Sequence, residues 1–375
     1  MVLLGIVSYK IFPARLGGQK GIADFYQFLS KDSEIVLATS NDNEVSDDPI
    51  FKIYPFLFNH WKGFLNLIYI PKLIGIIRKH KVDVILIEHS YFGWLGILLH
   101  LFTGKPYVIH SHNIEAHRFK VAGRKWWRFY VRYEIFVHQQ ANFNLFKCEE
   151  DKDWAIEEWN IAHEKCMIVP YGTNIQKAPD ADEIKISREQ IRRIHSIEEN
   201  ETIFLFNGSL NYAPNIDSIQ IITQFLIPIL QKTDLKYRII ICGDFLPELL
   251  ATELRAFPQI IFAGFVKDIS LYFKGCDAFL NPSVLATGIK TKLVEALAND
   301  LTVISTIGGA RGIDSKIAGM KMILVDNADW NGFATEMLKT KLRKPFITPE
   351  LFYTRFYWGN IIHSVHNRLA DLYHS

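Results

Sequence analysis

"AFLNPSVLATGIKTKLVEALANDLTVIST", residues 278–306, sets two short apolar runs on either side of a longer segment of helical character. The first run ends at Pro282, the helix begins near Ile289, and the second run opens at Thr302. Strand, loop, helix and strand in that order make the repeating unit of a parallel sheet. The same alternation extends through the whole chain. Strands are expected at 3–7, 35–38, 84–88, 107–110, 143–146 and 167–169, and again at 203–206, 238–241, 260–262, 278–281, 302–305 and 322–325. Their nearly continuous Val/Ile/Leu/Phe content is that of strands covered by helices on both faces. The reading is therefore two consecutive α/β domains, each a doubly wound parallel sheet, with ligands bound beyond the carboxyl ends of the strands and in the cleft between the domains.

A chain of 375 residues suits two domains. The first is expected over 1–175 and the second over 176–354, divided where "MIVPYGTNI" gives way to the polar "QKAPDADEIKISREQ". A last helical segment, about 355–375, either closes the second domain or packs back on the first. Hydrophobic residues at 49% and charged residues at 22% describe a folded globular protein. A net charge of +2 argues against a nucleic-acid partner. Cys148, Cys166, Cys242 and Cys276 form no CxxC and read as reduced core residues of a cytoplasmic protein. "MVLLGIVSYKIFP" lacks a basic region and a cleavage site, so it reads as a first strand and not a signal peptide. The longest apolar stretch, 91–104, is too short to span a bilayer.

Candidate functional residues fall in the loops after strands. Gly17 and Gly18 precede a helix expected to begin near Gly21, where backbone N–H groups face an anion or the glycines simply make a turn. His110 and His112, two apart at a strand end, share a face; they read as a metal pair, an active-site hydrogen-bond donor or ordinary loop residues, and no third ligand follows at zinc spacing. Gly208 and Ser209 lie in the strand-to-helix connection "FNGSLNYAPN".

The opening stretch is the most informative. Thr287, Gly288 and Ile289 lead into a helix whose free N–H groups, with Lys290 and Lys292 beside them, suit a phosphate. It is not a Walker A loop, since Gly288 is followed by Ile289. Glu295 stands among Leu293, Val294, Ala296 and Leu297, and a buried carboxylate without partners costs several kcal/mol or protonates. Ribose hydroxyls would satisfy it; so would Lys290 or Lys292, the latter three residues away on the same helix face. A further segment, "RFKVAGRKWWRFYVRYE", mixes cations with Trp126 and Trp127 and reads as a membrane-contacting surface, as a surface for a sugar-bearing acceptor, or as a helix whose aromatics enter the core.

In sum these motifs make the chain resemble a retaining glycosyltransferase of the GT-B fold, family four, in the subgroup with a G-T-G-I-K-x-K-x-x-E-A pattern. "FNGSLNYAPN", "VPYGTNI", "HSHNIE" and "IICGDFLP" fall in the order of that family around "NPSVLATGIKTKLVEALANDLTVISTIGGARGI", and the likeness covers nearly the whole length. The resemblance implies that Glu295 holds the ribose of a nucleotide sugar and that Gly17 and Gly18 lie near its diphosphate. It implies that His112 contacts the donor sugar and that Val266 meets the base. It also implies two Rossmann-like domains facing a cleft, a saccharide or lipid-linked acceptor, a role in surface polysaccharide or glycoconjugate synthesis, no cofactor, and metal-independent transfer.

Several positions depart from the family. Thr287 stands where many members carry an acidic residue, and Ser209 and Asn215 stand where many carry Arg and Lys. The charge opposite the leaving diphosphate is then expected from Lys290 and Lys292. A sugar-nucleotide epimerase of the same architecture and a non-catalytic nucleotide-sugar-binding subunit are the alternatives. The first is disfavoured by the lack of acidic residues beside "TIGGARGI"; the second is made plausible by Ser209 and Asn215.

Overall fold

The structure is a computed structural model that describes residues 1–14, 17–44, 50–284 and 290–374. It divides into one unit of Met1–Gly172 with Trp358–Ser375 and a second of Thr173–Tyr357. The first holds β1 (Val2–Val7), β2 (Glu34–Ser40), β3 (Lys52–Leu57), β4 (Val84–Glu88), β5 (Tyr107–Ser111), β6 (Phe143–Phe146) and β7 (Cys166–Ile168). They form one parallel sheet in the order β3-β2-β1-β4-β5-β6-β7. The second unit holds β8 (Thr202–Asn207), β9 (Tyr237–Cys242), β10 (Ile260–Gly264), β11 (Ala278–Asn281), β12 (Thr302–Thr306) and β13 (Met322–Val325). Their order, β10-β9-β8-β11-β12-β13, is also parallel throughout.

The alternation of side chains along a strand sorts the first sheet onto two cores. Leu3, Val7, Leu37 and Leu86 pack under the helices Gly17–Leu29 and Trp358–His374, with Phe25, Trp358, Val365 and Leu369 supplied from those helices. Leu4, Ile6, Val36 and Ile85 face the other way, onto Leu73, Leu95 and Val137 of the helices Ile70–His80, Gly93–Thr103 and Trp127–Gln140. Each such side chain, wholly removed from water, contributes about 1.5–3 kcal/mol. The second sheet has its own core, built from Phe204, Phe206, Ile239, Ile241, Leu280 and Phe333 with their neighbours.

All twelve expected strands are present, and a thirteenth, β3, was not expected. Pro55 interrupts its pattern, and the strand lies at the sheet edge where a missing N–H is tolerated. The helix expected near Gly21 begins at Gly17, so Gly17 and Gly18 form its first turn and do not precede it. At Gly21 a Cβ would fall 2.3 Å from the Tyr171 ring, so only glycine lets that helix approach this closely. Among the described residues no helix is long and apolar enough to cross a membrane.

Candidate active site

In the second unit the chemistry gathers at the carboxyl ends of β8, β10, β11 and β12. Gly208 follows β8 with φ 152°, and a Cβ there would lie 2.5 Å from the Asn215 Nδ2. Gly243, after β9, has φ 155°, and its Cβ would lie 1.9 Å from the Gly208 carbonyl oxygen. Two backbones thus pass at a distance that admits no side chain. Ser209 Oγ donates to Asn211 Oδ1 at 2.8 Å, and the Ser209 carbonyl accepts from Asn215 Nδ2 at 2.9 Å. Val266 is half-buried in the turn after β10. Beyond β12, Gly309 packs against the end of β11, where its carbonyl accepts from Asn281 Nδ2 at 3.0 Å.

The helix Thr291–Ala298 starts with Lys290 as its N-cap and has no acidic residue in its first turn. Cations are unfavourable at that end of a helix dipole unless an anion accompanies them. Lys292 Nζ donates to Asn215 Oδ1 at 3.2 Å and lies 4.5 Å from the centre of the Phe206 ring. Lys292 therefore pairs with the β8 loop, not with Glu295. Burial, then repulsion from Lys290, pushes its ammonium down to about 7. Burial also lowers Lys290. Glu295 is half-buried, not sealed in the core as its neighbours suggested. Its backbone carbonyl accepts from Asn299, and Asp300 ends the helix in the left-handed conformation at φ 60°. Thr287, Gly288 and Ile289, with the expected start of this helix, lie outside the described residues.

In the first unit a buried polar cluster occupies the carboxyl ends of β4, β5 and β6. Register pairs Glu88 with His110, so both side chains leave the sheet on one face, and His112 follows two residues later. His110 Nδ1 and His112 Nε2 lie 3.1 and 2.7 Å from Glu88. Burial alone would raise the Glu88 carboxyl, but the two imidazoles hold it well below the usual carboxylate range. Burial pushes His110 down to about 4 and His112 well below its ordinary value. Both rings are therefore neutral, and each donates one N–H to Glu88. The other nitrogens accept, His110 Nε2 from Lys147 Nζ at 2.7 Å and His112 Nδ1 from the Tyr171 hydroxyl at 2.8 Å. Burial brings the Lys147 ammonium down to about 7.

Around this centre, His89 is held at φ 63°, a conformation uncommon outside glycine, and its ring stacks on His112 with centroids 4.3 Å apart. Its nitrogens meet Glu115 at 2.9 Å and the Tyr9 hydroxyl at 3.0 Å. Glu88, His110 and His112 bring potential ligand atoms within 4.8 Å of one another. Those atoms are spent on hydrogen bonds, and the Lys147 ammonium beside His110 is a poor neighbour for a second cation. The cluster reads as a charge-balanced network before it reads as a metal centre.

The fold and these loops are matched by known proteins. Residues 17–177 match the family model described as Glycosyltransferase Family 4, and residues 201–340 match Glycosyl transferases group 1. The chain is a glycosyltransferase. Its fold is similar to that of sucrose-phosphate synthase from Thermosynechococcus elongatus, at 16% identity and TM-score 0.77 over 100% of this chain and 99% of that one. It is also similar to Anabaena HepE in complex with UDP, at 15% identity and TM-score 0.71 over 99% and 100%. WaaG, a glycosyltransferase involved in lipopolysaccharide biosynthesis, matches at 17% identity and TM-score 0.63 over 99% and 96%. These neighbours carry the GT-B architecture of two parallel-sheet α/β domains. No curated protein matches the chain by sequence.

For this glycosyltransferase, the second unit brings together Gly208, Ser209, Lys292 and Asn215, with Lys290 and Glu295 on the same short helix. His112 belongs to the first unit's network, where both ring nitrogens are engaged. Gly17 and Gly18 open a helix of that unit, and Gly18 borders open space. The hydrogen-bonding roles of Asn215, Glu88, His89, Lys147 and Tyr171 escape a reading by motif. The available signal is polar residues placed directly after buried apolar strands, as in "VILIEHS" and "FNLFK".

Proposed function

We propose that the protein is a retaining, metal-independent hexosyltransferase. It would move a sugar from a nucleoside-diphosphate sugar to a saccharide or lipid-linked acceptor, in surface polysaccharide or glycoconjugate synthesis at the cytoplasmic face of a membrane. Contact of the Trp126–Trp127 segment with that membrane is part of the reading. The observation that carries it is the acid-free start of the helix Thr291–Ala298, flanked by Lys290 and Lys292, with Glu295 one turn further in. Such an end attracts a doubly charged diphosphate, and Glu295 is the residue read as holding the ribose hydroxyls. The HepE structures, one of them with UDP-glucose, support a donor of that class.

In this reading Gly208, Ser209, Thr287, Gly288 and Ile289 are nucleotide-sugar-binding residues, and Val266 meets the base. Gly17 and Gly18 serve the first unit's side, and His112 meets the sugar by exchanging its Tyr171 bond for a sugar hydroxyl. The bond from the anomeric carbon to the phosphate oxygen breaks while the acceptor hydroxyl adds on the same face, its proton passing to the departing diphosphate. Charge grows on that diphosphate, and Lys290, Lys292 and the helix N–H groups hold it more tightly in the transition state than before. Losing one such donor costs about 2.7–4 kcal/mol.

The test is a thermal-shift screen against UDP-, GDP- and dTDP-sugars, repeated with Glu295→Ala. One donor is expected to stabilise the native protein and to lose that effect in the variant. Stabilisation that survives the substitution sinks the assignment.

A further inference from the structure

Residues 51–133 carry thirteen Lys and Arg against three acidic residues, while the remainder of the chain carries 29 against 37. Of those three acids, Glu88 and Glu115 are buried, and Asp83 accepts from the Val2 backbone N–H at 2.8 Å. Some of these cations lie away from the carboxyl edge, Lys52 paired with Glu34 at 2.6 Å and Lys81 and Lys105 before the amino ends of β4 and β5, whereas Lys62, Lys120, Arg124, Lys125 and Arg128 fall within the segments 60–69 and 115–140.

Two apolar ridges stand in those segments. The segment His60–Tyr69 is a ten-residue 3-10 helix, long for its kind. Three residues per turn align Trp61, Phe64 and Leu67 in one row and Gly63 and Asn66 in another. The second row is buried, with Asn66 accepting from the Phe58 N–H at 2.8 Å and donating to its carbonyl at 2.9 Å. The first row faces water, and Trp61 keeps 76% of its surface exposed. The second ridge is the corner between the helices Glu115–Val121 and Trp127–Gln140, where Val121, Trp126 and Phe129 are exposed, Phe129 at 77%. Lys120 and Arg128 lie over the Trp127 ring at 5.1 and 5.7 Å.

Both ridges rest on the turn Ser90–Phe92. A Cβ at Gly63 would lie 2.8 Å from the Phe92 ring, and Ser90 Oγ bonds the Tyr130 hydroxyl and Glu134 of the second helix at 2.8 and 2.9 Å. The ridges are therefore neighbours at the carboxyl edge of one sheet. Exposed aromatics interleaved with cations match an interface between apolar tails and anionic headgroups.

The geometry points to this edge as a docking surface for a lipid bilayer bearing anionic headgroups, with the 3-10 helix and the Trp126–Phe129 corner as its two feet. The inference deepens the lipid-linked branch of the proposed function and rests on it, yet its test needs no transfer activity. A protein partner would fit the aromatics, but Lys62 set over Trp61 and Lys120 and Arg128 set over Trp127 favour anionic headgroups beside apolar tails.

The full-length protein is sedimented with phosphatidylcholine vesicles with and without about one-third phosphatidylglycerol. Binding is expected to be at least about tenfold stronger to the anionic vesicles and to fall at high salt. The pair Trp61→Ser with Phe64→Ser, and separately Phe129→Ser, are each expected to lower it about tenfold. Leu249→Ser, at an exposed leucine of the second unit, serves as control and leaves it unchanged. Equal binding to neutral vesicles, no binding at all, or variants that sediment like the native protein overturn the inference. Donor stabilisation measured on the same variants separates the outcomes, since loss of vesicle binding with donor binding intact concerns this surface alone, and the reverse concerns the proposed function alone.

Discussion

Replacing Lys292 by Met separates the two roles assigned to that side chain. Its ammonium is brought from 10.5 down to about 7, first by burial and then by Lys290. Each pKa unit is worth 1.36 kcal/mol, so the charged form is disfavoured by roughly 5 kcal/mol, or about 2–4 once partial solvent exposure is allowed for. Methionine removes that cost and forfeits the hydrogen bond to Asn215, worth about 1 kcal/mol. The ligand-free variant is therefore expected to be more stable than the native protein at neutral pH by about 1–3 kcal/mol. The sign with pH follows from the lowered folded value. Between about 7 and 10.5 the unfolded chain holds the proton that the folded chain has released, so native stability rises with pH across that window. The variant lacks that rise. A bound diphosphate reverses the preference, so the same substitution is expected to weaken donor binding about a hundredfold. Urea unfolding at neutral and alkaline pH, with calorimetric titration of the stabilising nucleotide sugar, measures both. A variant that is less stable at neutral pH, or that binds donor as the native protein does, refutes the reasoning.

Four further outcomes are expected. Glu88→Gln leaves His110, His112 and Lys147 without their carboxylate, and should lower stability by about 3–5 kcal/mol in denaturant titration. Gly243→Ala places a Cβ on the Gly208 carbonyl and should cost at least about 2 kcal/mol, read as a fall in melting temperature together with weaker donor binding. Burial lowers His138 to about 4, so its part of the stability is whole above the unfolded value of 6.5 and is lost as pH falls through 4. His138→Gln should remove about 3 kcal/mol of that acid dependence when unfolding midpoints are compared across the window. Dialysis against a chelator should leave transfer activity unchanged; loss of activity restored by a divalent metal would revive Glu88, His110 and His112 as ligands.

The architecture was legible because parallel strands buried on both faces leave uninterrupted apolar runs. The exception, β3, has Pro55 and half-exposed side chains, so its pairing with β2 supplies what its own pattern lacks. The helix Thr291–Ala298, with Lys290 and Lys292 at its start, was legible because its pattern is local to a dozen residues. The Glu88 network was not. His110 and His112 are visible as a pair, but their partners come from β4, from the residue after β6 and from Tyr171, and only the sheet order brings those segments side by side. Asn215 escaped notice for a related reason. It reads as an absent lysine, whereas in the fold it receives Lys292 from a helix 77 residues further along.

The helix Trp358–His374 completes the first unit's core with Trp358, Ile361, Val365 and Leu369, yet it follows the whole of Thr173–Tyr357 in the chain. During synthesis the groove along the helix Gly17–Leu29 must stay uncovered while some 185 residues emerge and fold. The later-made half can therefore mature first. Nascent chains arrested before residue 358 should expose a sticky apolar seam that invites chaperones, and emergence of Trp358–His374 should close it.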